Sequence, residues 1–172
     1  MFAKTGTGIA HCPCSNMRLG SGILPLNKML DKGVNIGLGV DGSASNDSGN
    51  LLNEARQALY LQRVNETNNF YLNARNALWL ATAGGATALN RDDIGSIKVG
   101  NCADFAIYDS TSLELAGCVE DPIGGLIFCG PLKTRWTICN GQIISENNNI
   151  KNINIEDAIN HHNSLSRKLI NS

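Results

Sequence analysis

Long hydrophobic runs are missing from this sequence. Its longest apolar stretches, such as residues 77–83, fall far short of the about 20 residues that a bilayer-spanning helix needs. An excess of charge of either sign is missing too. With 14 Lys and Arg against 15 Asp and Glu the net charge is -1, which gives no electrostatic reason to expect nucleic acid or an anionic membrane as a partner. Met1, Phe2, Ala3 and Lys4 lead into a Thr/Gly stretch without the apolar segment of a signal peptide, so the expected location is cytoplasmic. No phosphate-binding glycine loop is found: Gly20-Ser21-Gly22 lacks a third glycine, and Gly84-Gly85 falls at a helix end. Histidine is scarce, with three in 172 residues.

Six cysteines are present, but a chain of this length needs no disulfide staples. Cys102, Cys118, Cys129 and Cys139 are scattered among apolar residues, the habit of reduced, mostly buried thiols. A hydrophobic content of 42% with balanced charge fits an ordinary globular protein.

The order of elements in the first 64 residues is strand, loop, helix, strand, loop, helix. Residues 7–11 form a short strand candidate, and residues 12–22 a polar loop with Pro and Gly. Residues 25–32 read as a helix, because Pro25 suits a first turn, Leu26, Met29 and Leu30 make a stripe, and Gly33 ends it. Residues 34–40 are a nearly continuous apolar run, as in a strand covered on both faces. A Gly/Ser/Asn/Asp loop over 41–50 precedes a helix over 51–63 that buries Leu52, Ala55 and Leu59. This is the repeat unit of a parallel sheet or barrel, and both long loops follow strands, where barrel enzymes place their chemistry.

Residues 65–95 read as mostly helical and 96–150 as all-β. Strands are expected over 97–99 and 103–108, and a hairpin over 135–139 and 142–146 around Asn140-Gly141. An Asn-rich stretch, 146–154, reads as a linker to a final helix over 155–170. His161 and His162 lie about 100° apart on it and cannot share one ion. His162 falls on the apolar stripe and reads as partly buried packing; Trp79 and Trp136 read as core. The domain boundaries that follow are 1–95, 96–146 and 147–172.

Asp41 is the foremost chemical candidate. It follows Gly37-Leu38-Gly39-Val40 directly, so a buried strand delivers its carboxylate to the C-terminal edge of the sheet, and Gly42, Ser43, Ala44 and Ser45 leave room above it. A carboxylate so placed suits a cation such as zinc. It suits equally well a turn cap bonding the amides of Ser43 or Ala44. His11-Cys12-Pro13-Cys14 invites a cysteine-zinc site, but no second ligand pair lies at a finger-like spacing. Nor does Ser15-Asn16-Met17 continue the pattern of the small zinc deaminases. His11 ends a strand in the same layer as Asp41 and is a candidate for the same pocket.

Residues 5–22 (TGTGIAHCPCSNMRLGSG) resemble the seventh strand and loop of the amidohydrolase superfamily, in the branch of 8-oxoguanine deaminase and hydroxydechloroatrazine ethylaminohydrolase. Residues 37–47 (GLGVDGSASND) resemble its eighth strand, whose Asp binds the metal. Residues 81–90 (ATAGGATALN) and 93–104 (DIGSIKVGNCAD) resemble the passage from the barrel into a small β domain. The resemblance implies the last two β/α units of a (β/α)8 barrel, part of a β-sandwich and a C-terminal helix. It implies a zinc-dependent hydrolysis of a carbon–nitrogen bond in a purine-like or triazine-like amine, with Asp41 binding the metal and taking the proton of the attacking water. His11, Asn16, Ser43 and Asn46 would line the ring pocket.

Relatives carry further metal-binding histidines and acid/base residues on earlier strands, and no His-x-His occurs here. A full barrel takes ~250 residues, and one carboxylate does not hold zinc when three or more protein ligands are the rule. The chain is therefore expected to be inactive alone, with an N-terminal barrel half or a homo-oligomer as partner. The alternative is a non-catalytic binding or assembly module that keeps the scaffold and exposes strand edges.

Overall fold

The computed structural model describes residues 1–65 and 72–171; part of the helical reading of 65–95 lies outside them. Two compact units divide the chain, one formed by residues 1–102 and 110–132 and the other by 103–109 and 133–172. These limits differ from boundaries at 95 and 146, because the chain leaves the first unit for one strand and then returns.

In the first unit a short helix, α1 (Phe2–Thr5), precedes β1 (Ile9–His11). Then come α2 (Pro13–Leu19), α3 (Leu26–Asp31) and β2 (Ile36–Leu38). The helices α4 (Leu51–Asn65), α5 (Ala74–Leu80) and α6 (Ala83–Ala88) follow. β1 and β2 pair in parallel, Ile9 with Ile36, Ala10 with Gly37 and His11 with Leu38. Among the described residues they pair with no other strand.

The core lies between β2 and the helices. Ile36 is buried with Leu26 of α3, Ala55, Ala58 and Leu59 of α4, and Ala77 and Leu80 of α5, while Ile9 packs against the cluster. Each large aliphatic side chain so buried contributes roughly 1.5–3 kcal/mol. α6 meets the strands where they are bare: a Cβ on Gly37 would lie 2.5 Å from Gly85 Cα, and one on Gly8 would lie 1.9 Å from Ala88 O. Backbone thus packs on backbone, and only glycine permits the approach.

Four readings of this unit change. The loop over 12–22 contains α2, for which Pro13 at the first position fixes a helical φ. Residues 97–99 form no strand, and Ile97 and Val99 are exposed. The all-β reading of 96–150 also misses a helix: Asp121 caps it by accepting from Gly124 N at 3.0 Å, Pro122 opens it, and it buries Ile127. Trp79, read as core, is 45% exposed.

The second unit is an antiparallel sheet with a helix. β3 (Phe105–Ile107), β4 (Trp136–Cys139), β5 (Gln142–Glu146) and β6 (Asn149–Ile150) lie in that order. Asn140 and Gly141 both take positive φ, 48° and 76°, which matches a two-residue hairpin turn to the strand twist. Asn147 and Asn148, at φ 47° and 67°, do the same, so part of the expected linker is a second hairpin. The last helix, labelled α8 once the Pro122–Phe128 helix is counted as α7, spans Ile155–Ile170. Asn154 caps it by accepting from Glu156 N and Asp157 N, and Arg167 and Lys168 in its last turn suit the helix dipole. No residue of α8 is buried, and His162 with it is exposed rather than partly buried. No helix among the described residues is long and apolar enough to cross a membrane.

Candidate metal-binding site

Asp41 sits three residues beyond the end of β2, and its backbone turns into the left-handed region at φ 63°. Such a φ is uncommon outside glycine, although Asp tolerates it better than most residues. The turn lifts the carboxylate toward α2. Ser15 of α2 donates its hydroxyl to Asp41 Oδ2 at 2.6 Å, and Ser45 donates to the same oxygen at 3.1 Å. The carboxylate therefore meets hydroxyls from α2 and from its own loop, together with the Gly42 amide. These bonds, with the Ser15 hydroxyl foremost and then the Gly42 amide and the Ser45 hydroxyl, hold the Asp41 carboxyl below the usual carboxylate range. It is ionised at neutral pH and exposed.

A second carboxylate stands behind the first. Glu54 of α4 is fully buried; its Oε2 accepts from Cys14 N at 3.0 Å and its Oε1 from Asn46 Nδ2 at 2.6 Å. Asn46 Nδ2 also donates to Val40 O at 2.8 Å, and Ser48 donates to Asn46 Oδ1 at 3.0 Å. Glu54 thus joins the start of α2 to the loop that carries Asp41. The ion pair of Arg18 with Asp47 ties the same two segments at the surface, where its own contribution is small. Sequence reasoning missed Glu54 and the role of Ser15. The signal for Glu54 is a charged residue three positions after Leu51 and four before Ala58, on the inner face of an amphipathic helix.

The other candidates separate. Asn46 is buried and its amide is engaged on both sides, so it holds the loop. Asn16 lies on α2 and Ser43 on the exposed loop after Asp41. His11 is 2% exposed, and neither of its ring nitrogens has a hydrogen-bond partner. Strand alternation places it with Ile9 and Ile36, on the face that packs on α3, α4 and α5, opposite to Ala10 and to Gly37, which faces α6. Burial pushes its pKa down to about 4, so the ring is neutral.

Cys12 and Cys14 flank the carboxylates as protonated thiols. Burial, followed by the hydrogen bond and charge of Glu54, pushes the Cys14 thiol up to about 12. Burial and the charges of Asp41 and Glu54 raise Cys12 as well. A thiol so shifted is a poor nucleophile or ligand. None of the six cysteines is in a disulfide, and none is fully buried. Asp41 fits a hard or borderline cation by its charge, exposure and donor chemistry. Among the described residues, however, no group of three or more His, Cys, Asp or Glu gathers to hold a metal.

The amidohydrolase family pattern matches residues 1–155. The chain belongs to the amidohydrolase family. It is similar to 8-oxoguanine deaminase of Pseudomonas aeruginosa, 48% identical over 128 residues, which cover 74% of this chain and 28% of that protein. It is 38% identical over 154 residues to hydroxydechloroatrazine ethylaminohydrolase of a Pseudomonas strain, covering 85% of this chain and 31% of that one. Among solved structures, a zinc complex of atrazine chlorohydrolase from Arthrobacter aurescens aligns with a TM-score of 0.89 at 36% identity, covering 95% of this chain and 37% of that one. A zinc-bound adenosine deaminase from Xanthomonas campestris aligns at 0.93 with 28% identity, covering 99% and 39%. This amidohydrolase chain therefore spans about a third of the length of its relatives.

Proposed function

We propose that this amidohydrolase chain is the C-terminal part of a metal-dependent deaminase barrel, contributing the last two β/α units and one metal ligand. Asp41 at the C-terminal edge of a parallel strand, held by Ser15 and Ser45, is the observation that carries this reading. The reaction exchanges an exocyclic amine on a purine-like or triazine-like ring for oxygen: water adds at the ring carbon, ammonia leaves, and a carbonyl remains. A divalent metal, zinc in two structural neighbours, supplies a Lewis acid that activates the water.

The chain's own residues then have distinct tasks. Asp41 holds the metal and takes up the proton that the water gives up. Ser15 and Ser45 fix its rotamer and keep it ionised. Glu54 and Asn46 hold the two loops in register behind it. Asn16 and Ser43 line the space above Asp41 for the ring. His11, neutral and turned to the helices, supports the strand end rather than the ring. The unpaired strand edges of β1 and β2 are where the preceding barrel strands add.

The test is complementation. The isolated chain is expected to show no turnover of 8-oxoguanine, adenosine or hydroxyatrazine analogues and no tightly bound zinc. Co-expressed with the N-terminal two-thirds of the Pseudomonas aeruginosa relative, it is expected to yield a zinc-containing complex that releases ammonia, and Asp41→Asn should abolish both properties. Turnover by the isolated chain overturns the incomplete-site reading. A stable, zinc-loaded complex with no turnover of these substrates overturns the deaminase reading and leaves the binding or assembly module.

A further inference from the structure

The loop that returns to the first unit carries two cysteines that the deaminase reading does not use. Cys118 and Cys129 bring their sulfurs to 3.7 Å. Cys129 caps the end of α7, and Cys118 packs over the same helix at Gly125, where a Cβ would lie 2.8 Å from Cys118 Cβ and 3.0 Å from its sulfur. The missing side chain makes the room that Cys118 occupies. Cys129 also lines a cavity of about 190 Å³ with Ser48, Asn50, Asn53, Arg56 and Pro131. That cavity touches both the loop after Asp41 and α4, whose Asn53 donates to Cys14 Sγ at 3.3 Å.

We propose that Cys118 and Cys129, the latter on this cavity wall, form a dithiol site which takes a low-molecular-weight disulfide and closes into an intramolecular disulfide bond. A disulfide needs its sulfurs at about 2.05 Å, so each must move by less than about 1 Å, within reach of small χ1 adjustments. In the first step one cysteine, as thiolate, attacks a sulfur of the small disulfide; a mixed disulfide forms and a small thiolate leaves. The second cysteine then loses its proton and attacks the protein sulfur of the mixed disulfide, displacing the second small thiol. Two protein thiols are oxidised by two electrons, one small disulfide is reduced to two thiols, and the two protons go to those thiols.

The hydrogen bond to Cys129, burial and nearby negative charge hold the Cys118 thiol above its ordinary range. Closure accelerates as pH rises, because the thiolate is the attacking species. The bond would fix the wall that Cys129 gives to the cavity.

The isolated chain is incubated with oxidised glutathione at neutral and mildly alkaline pH, alkylated, and analysed by mass spectrometry after cleavage at glutamate. A cut after Glu120 separates the two cysteines, so a bridge appears as two linked peptides. The expected result is loss of two hydrogens, loss of alkylation at Cys118 and Cys129 together, and faster closure at the higher pH. Cys118→Ser and Cys129→Ser should each stop at a glutathione adduct on the remaining cysteine. In urea the preference for this pair should vanish, a comparison that needs no variant. Both thiols still alkylated, or a bridge that joins other cysteines as readily in the folded chain, overturns the proposal.

Discussion

The two sheets of this chain are held by different means. The parallel pair β1–β2 depends on partners far away in sequence: Ile36 on α3, α4 and α5, and Gly37 on α6. The antiparallel sheet β3–β6 depends largely on its neighbours along the chain, through the turns at Asn140-Gly141 and Asn147-Asn148. The pair that carries Asp41 is therefore the one that local sequence supports least. Its integrity is a property of the whole first unit, whereas β4, β5 and β6 are joined hairpin by hairpin.

The largest effect should fall on the long-range contact. Gly37→Ala sets a methyl against the Gly85 backbone, and overpacking with no flexible side chain to yield should cost about 3 kcal/mol or more. Denaturant melts of the variant against the parent measure it, and a loss under about 1 kcal/mol would show that α6 shifts easily and that the contrast between sheets is overstated.

His11 sharpens the same contrast through pH. Its pKa lies near 4 in the folded chain and about 6.5 when unfolded. The unfolded state therefore binds the proton first, and stability, complete above pH 6.5, should fall as pH drops toward 4. The difference is worth on the order of 3 kcal/mol. His11→Leu should flatten this slope between pH 7 and 4.5; an unchanged slope would place the titrating group elsewhere.

Glu54→Ala leaves the Cys14 amide without its acceptor and removes one of the two acceptors of the Asn46 amide. A cost of about 2 kcal/mol is expected, together with faster amide exchange at Cys14 and around Val40, read by hydrogen-exchange mass spectrometry. The smallest effect belongs to the locally encoded sheet. Gly141→Ala, at φ 76°, should cost about 1 kcal/mol and leave exchange in β1 and β2 unchanged. A matching rise in exchange there would break the comparison.

Legibility in the sequence follows the same division. The hairpin at Asn140-Gly141 and the helix over 155–170 were readable from adjacent residues and match the structure. The strand before Asp41 was readable from its apolar run. What failed depends on residues distant in the chain. The helix at Pro122 lies inside a stretch of otherwise strand-like punctuation, and Trp79 looks like core until the helices around it are placed. The place of Asp41 beyond the end of a strand was legible because an apolar run followed by small residues defines a sheet edge. Ser15 and Glu54 were not, since they matter only once 26 and 40 positions of chain separation are closed. For His11 the layer was readable, but its facing required the register with β2.

The left-handed backbone at Asp41 also acts as a filter on substitution. Most L-residues lose about 1–2 kcal/mol in that conformation, so a survey of all replacements would be sorted by shape before chemistry. Glutamate keeps the charge and fails on shape, whereas asparagine keeps both the shape and the backbone preference and loses only the charge. Position 41 thus admits a clean separation: the Asn variant reports what the charge does, and the Gly variant what the side chain does, with the chain path unchanged in both.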